Sequence, residues 1–168
     1  MTRAAKPSST SHPYDELRRQ LVALLTWKDA HVDFDTAVKG LPRKLRGVQP
    51  KGLPYSPWQL LEHLRLAQRD ILEFCIDPAY RTRKWPDAYW PPSASPPNAK
   101  AWGQSVAAFR ADRRSLERLI KDPGTDPFAK VPHGQGQTYL REFLLVADHA
   151  AFHVGELVVV RRLLGAWR

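Results

Sequence analysis

Apolar residues recur at helical spacing along four stretches of the chain, and no stretch shows the strict alternation of a half-buried strand. The first stretch runs from Tyr14 to Lys39, with Leu17, Leu21, Leu24 and Leu25 at helical intervals, and Gly40-Leu41-Pro42 punctuates it. The second has the sharpest start. Ser56 is a good N-cap, Pro57 suits the first helical position, and Gln59 follows the serine at the spacing of a capping box. Leu60, Leu64, Ala67, Ile71 and Phe74 mark its inward stripe until Asp77-Pro78. The third begins near Asn98, carries Trp102, Val106, Phe109, Leu116 and Leu119, and stops before Asp122-Pro123-Gly124. The fourth runs from an N-cap at Thr138 to Leu164, with Gly165 as its C-terminal stop. It is apolar over most of its circumference, which predicts the most buried helix of the set.

A Pro- and Trp-rich connection, Ala79 to Pro97, separates the second and third helices. Aperiodic segments of that length are functional or wrap the surface. Extended, it reaches the full length of a bundle, so the helices that it joins need not be antiparallel. The pattern as a whole predicts an all-α four-helix bundle: one domain over residues 14–168, preceded by a flexible tail over residues 1–13.

Composition agrees. With 168 residues, 43% hydrophobic and 26% charged, the chain suits a single core. A mean hydropathy of −0.46 and the lack of an eighteen-residue apolar run argue against a transmembrane helix. Met1 to Pro13 lack the apolar segment of a secretory signal, so a cytoplasmic location without membrane contact is expected. The lone cysteine, Cys75, excludes internal disulfides and Cys-based zinc clusters. The net charge of +9 permits anionic partners. Its sources are scattered, however, over Arg18 and Arg19, Lys39 to Arg46, Arg81 to Lys84, Arg110 to Arg118, and Arg161 and Arg162. No nucleic-acid-binding motif accompanies them, and they read as solvated helix faces and loops.

The histidines change the picture. His149-Ala-Ala-Phe-His153 places two imidazoles about 40° apart on the most apolar helix, on the face shared with Leu145, Val146, Leu157, Val160 and Leu164. Burying such polar rings without partners is costly. They are either core histidines satisfied by carbonyls or carboxylates, or two ligands of one ion. His63, at the edge of the second helix's inward stripe, offers a third imidazole. Three neutral imidazoles would hold a borderline divalent ion, Zn²⁺ or Ni²⁺, with at least one open position. Periodicity alone does not place the second helix beside the fourth.

Four motifs carry a family resemblance: Ser56-Pro57-Trp58-Gln59-Leu60-Leu61-Glu62-His63-Leu64-Arg65, Trp85-Pro86-Asp87-Ala88-Tyr89-Trp90-Pro91, Pro132-His133-Gly134-Gln135-Gly136-Gln137, and Ala147-Asp148-His149-Ala150-Ala151-Phe152-His153-Val154-Gly155-Glu156-Leu157. Over most of residues 14–167 the chain resembles the DinB/YfiT-like superfamily of metal-binding four-helix bundles. That family's last helix typically reads His-x-x-Tyr-His-x-Gly-Gln, and its second helix supplies one more histidine. The resemblance thus implies His63, His149 and His153 as ligands of a divalent metal cofactor. Phe152 replaces the usual tyrosine and Glu156 the usual glutamine, which removes one hydroxyl and adds a carboxylate on the histidine face. Glu156 would orient an imidazole, bind the ion, act as a base, or pair with Arg161; orientation or pairing is favoured over ligation.

Other candidates are weaker. Glu142 lies two turns before His149, about 10 Å along the axis, and Cys75 lies about 18 Å beyond His63. Cys75 therefore reads as an inert buried thiol. His133 reads as a loop-fixing residue, and His31, Asp33 and Asp35 do not share a helical face. Tyr55, Trp58, Trp85, Tyr89 and Trp90 read as core and lid packing. The resembling superfamily includes thiol S-transferases that use bacillithiol or mycothiol. It therefore implies a metal-dependent transferase, or a hydrolase, acting on a small molecule such as a low-molecular-weight thiol. The alternative is a non-catalytic, stress-related metal-binding or nucleic-acid-binding bundle. A homodimer is compatible with a bundle of this size, and no residue fixes it.

Overall fold

Five α-helices are found among residues 14–167, the part of the chain described by the computed structural model. They are α1 (Asp15–Leu24), the short α2 (Phe34–Val38), α3 (Pro57–Ile76), α4 (Ala101–Lys121) and α5 (Tyr139–Leu163). Among the described residues there is no strand, only an isolated bridge between Lys130 and Thr138. The all-α architecture is as expected; the tail expected over residues 1–13 lies outside the described residues.

The local signals act as the sequence suggests. Ser56 Oγ accepts from the Gln59 amide, and Gln59 Oε1 accepts from the Ser56 amide at 3.0 Å, a complete capping box that starts α3. Thr138 caps α5 through the Arg141 amide, and Gly165, with φ +66°, turns the chain out of the helix. The first expected helix differs: it is broken between Leu24 and Phe34. Asp33 accepts from the Thr36 amide at 2.9 Å and starts α2 afresh. A side-chain acceptor of that kind favours a cap over a helix interior, which ends the continuity.

Partner pairs reveal the topology. Glu62 meets Ser105, Gln68 Nε2 donates to the Phe109 carbonyl and Arg69 bonds Asp112, so α3 and α4 run parallel. His63 meets His149 and His153, whereas Ile71 and Leu72 meet Val146, so α3 and α5 run antiparallel. The long connection makes the parallel pair possible by returning along the bundle.

The core has three clusters. Leu21, Ile120 and Phe143 fill one end and Ile71, Leu72, Leu116 and Val146 the middle. At the other end α2 packs Phe34, Ala37 and Val38 against Leu60, Leu64, Trp102, Phe109, Val154 and Leu157. Burial departs from expectation at α5. The most enclosed helix is α3, flanked by α4 and α5 and overlaid by the connection, whereas α5 leaves Leu144, Phe152, Val159 and Leu163 exposed. By length and composition α5 is also the one described helix that is apolar enough to cross a bilayer.

Two arginines expected on solvated faces are buried instead. Arg18 donates to the carbonyls of Ile120 and Thr125 at the C-terminal end of α4. Arg161 donates to the carbonyls of Ala37, Lys39 and Ala166, clamping α2 onto α5. Each guanidinium satisfies carbonyls that a helix end leaves unpaired, and its positive charge suits that pole.

Candidate metal centre

His63 sits one and a half turns into α3, and His149 and His153 sit one turn apart on the facing surface of α5. The antiparallel packing brings them together. His63 Nε2 lies 3.1 Å from His153 Nε2 and 3.0 Å from His149 Nε2. One nitrogen from each ring falls within 4.8 Å of the others, close enough for one ion to touch all three. His63 and His153 are buried, and His149 is partly exposed on the open side.

The outer nitrogens determine what the inner ones carry. His63 Nδ1 donates to the Tyr89 carbonyl at 2.8 Å, and His153 Nδ1 donates to Glu156 Oε2 at 2.6 Å. A carbonyl and a carboxylate only accept, so both neutral rings hold their proton on Nδ1. Both Nε2 atoms therefore present lone pairs, at a separation where a hydrogen bond would need a proton between them. Burial lowers the pKa of all three rings; repulsion from the neighbouring imidazoles reinforces it at His149, to about 3, and at His153, to about 4, whereas at His63 the Tyr89 carbonyl and Glu156 oppose it. Protonation is a poor remedy, so the lone pairs of His63 and His153 face each other with no proton between them.

The donor set suits a divalent cation. With metal–nitrogen bonds of about 2.0–2.1 Å, neighbouring nitrogens stand about 2.9 Å apart in octahedral and about 3.4 Å apart in tetrahedral coordination, and both observed separations fall between these.

The connection supplies the surroundings that sequence reasoning missed. Tyr89 binds His63 through its carbonyl, and its hydroxyl donates to Asp70 Oδ2 at 2.7 Å. Tyr80 and Arg83 also reach Asp70, a buried α3 carboxylate. Trp90 stacks on His63 at 4.0 Å between centroids, and Tyr55 stacks on Trp90 at 4.1 Å. The available signal was the Tyr89-Trp90 pair inside an overlong loop. Trp58 is core, as expected, but Trp85 is exposed rather than packed as a lid.

Glu156 pairs with His153, not with Arg161, whose guanidinium is committed to carbonyls. Burial raises its carboxyl pKa, opposed by attraction to His63. Phe152 turns outward, its ring edge-on to His153. The remaining candidates lie elsewhere. His133 Nε2 bonds the Phe74 carbonyl at 2.7 Å and ties the 132–137 loop to the end of α3. Asp33 caps α2, and Asp35 pairs with Arg110 and Arg113. Cys75 is buried, its thiol pushed up to about 12 by desolvation and by Glu142.

No curated protein and no solved structure matches the chain. A family model described as the DinB superfamily matches residues 26–157, a span that contains all three histidines, Tyr89 and Glu156. On that match the chain belongs to the DinB superfamily.

Proposed function

We propose that this chain binds a divalent cation through His63, His149 and His153 and works as a metal-dependent enzyme on a small-molecule thiol. The observation that carries the reading is the convergence of two lone-pair-bearing nitrogens at 3.1 Å, with a third imidazole 3.0 Å away. A borderline divalent ion such as Zn²⁺ or Ni²⁺, when bound by neutral imidazoles, lowers the pKa of a coordinated thiol or water toward neutrality. The thiol, rather than water, follows from the family resemblance; the reaction assigned is conjugation, in which the sulfur gives up its proton, bonds to the electrophile's carbon and displaces a leaving group that takes the bonding electron pair.

The chain's own residues have separate parts in this reading. Tyr89 and Glu156 orient His63 and His153 through their Nδ1 protons. Glu156 lies behind the His153 ring, which makes it a positioning residue. Trp90 and Tyr55 roof His63 and limit the approach of bulk water from that side. Beside them a cleft of about 380 Å³, lined by Leu53, Pro54, Tyr55, Leu60, Phe152 and Val159 among others, offers an apolar wall to an electrophile.

The test is elemental analysis of protein purified without added metal, followed by the same measurement on His149→Ala. About one equivalent of a divalent ion is expected in the parent and under a tenth in the variant; full occupancy of the variant rejects the site. Thiols are then screened with a chromogenic electrophile, with and without chelator. Conjugation that survives chelation rejects the enzymatic reading and leaves the cation question to the first measurement.

A further inference from the structure

We propose that the hollow between the 43–48 turn and the 95–99 end of the connection is an anion site that takes a small phosphate monoester. The sequence prepares it. No Asp or Glu stands between Asp35 and Glu62 or between Asp87 and Asp112, and the fold brings these two acid-free segments together. Arg43, Lys44 and Arg46 from the first and Ser95 and Asn98 from the second line a cavity of about 310 Å³. None of the three cations forms an ion pair among the described residues. The cavity shares no residue with the histidine cluster, so the proposal does not rest on the metal reading.

Two observations separate this hollow from a merely solvated basic surface. The Arg46 guanidinium is held in place: it lies over the Trp102 ring at 4.9 Å, and its Nε donates to the Leu41 carbonyl at 3.3 Å. Its terminal nitrogens have no acceptor among the described residues. Burial lowers its pKa and Arg43 lowers it further, so two like charges stand close with no acid to offset them. An anion between them relieves that repulsion. The second observation is Gly47. A Cβ built there would stand 2.9 Å from the Ser95 Cα and closer still to its side chain. Turn and connection therefore meet only because this residue is glycine, and that contact builds the cavity. The donors select the occupant. Asn98 Oδ1 is committed to the amides of Lys100 and Ala101 at 2.9 and 3.0 Å, which leaves its side-chain NH₂ to donate. A carboxylate offers two oxygens in one plane, which a single guanidinium fork satisfies. A phosphate monoester carries a charge of about −1.5 to −2 and three strong acceptor oxygens, which suits three cations flanked by a hydroxyl and an amide.

The test is isothermal titration calorimetry of the full chain with inorganic phosphate and with phenyl phosphate, at low salt, before and after treatment with chelator. One site is expected for each probe, with a Kd under about 1 mM that chelation leaves unchanged. Arg43→Gln and, separately, Lys44→Gln should each weaken binding by about fivefold or more. Gly47→Ala, which alters no charge, should weaken it by about tenfold or more with helicity retained. Lys51→Gln, on the same acid-free segment but outside the cavity, should stay within about twofold of the parent. Arg43 and Lys44 are exposed, so their variants decide the question even where Gly47→Ala does not fold. No binding at about 10 mM of either probe overturns the proposal, as does a loss in Lys51→Gln equal to that in Arg43→Gln. Binding that chelation abolishes assigns the anion to the histidine cluster, and phenyl phosphate that fails where inorganic phosphate binds rejects the monoester. Duplex DNA or phosphatidic acid vesicles that bind where neither free probe does assign the cations to a polymer or a membrane, and overturn it equally.

Discussion

A hydrogen-bond acceptor on the far side of each of two imidazoles decides what the near side can do. The Tyr89 carbonyl and the Glu156 carboxylate fix the protons of His63 and His153 outward, leaving lone pairs to converge. Glu156→Gln keeps an acceptor at this position, where the family typically carries glutamine, and removes only the charge. Its expected effect is about a tenfold loss of metal affinity, measured by competition with a chelator, with helicity unchanged. The histidine pair was legible at this scale, because i, i+4 spacing is a property of the helix itself. The bond to Tyr89 was not. Its acceptor is a backbone carbonyl, which no residue identity marks, and its place depends on how the connection folds. The buried arginines escaped notice for the same reason, since Arg18 and Arg161 reach carbonyls more than a hundred residues away.

The connection between α3 and α4 is held to α3 at few points, and Asp70 gathers several of them. Tyr80, Tyr89 and Arg83 all terminate on this carboxylate. Asp70→Ala leaves two phenols without their acceptor and frees the segment that presents the Tyr89 carbonyl. A loss of about 2 kcal/mol is expected, a fall in Tm of about 4–8 °C for a domain of this size. Amide exchange should accelerate over residues 79–90 more than in α4 or α5, and uniform acceleration would refute the local account. Helix starts were legible where a cap announces them, as at Ser56 and Thr138. The break after Leu24 was not, because Leu17, Leu21, Leu24 and Leu25 keep helical spacing right up to it. Nor was the exposed side of α5. Apolar composition shows that a helix can be covered and leaves open whether its own chain does the covering.

For the molecule as a whole, the three histidines couple stability to pH. Their folded pKa values lie below the unfolded value of about 6.5, so the unfolded chain binds more protons and stability rises with pH. In metal-free protein this contribution is fully present above about pH 6.5 and is lost as pH falls toward the folded values, about 4 for His153 and about 3 for His149. The urea midpoint should therefore drop between pH 7 and pH 5, and drop less in His149→Leu. The paired carboxylates Asp35, Glu62 and Glu73 have lowered pKa values and stay ionised through that window. The parallel course of α3 and α4 carries a different consequence. A twenty-residue helix spans about 30 Å, a gap that about nine extended residues can bridge. Asp77 to Lys100 exceeds that minimum by more than half of its own length, and Tyr80, Tyr89 and Trp90 all lie within it. A shortened linker would thus preserve the topology while stripping one wall from the histidine cluster, which makes scaffold and chemistry separable by loop length alone.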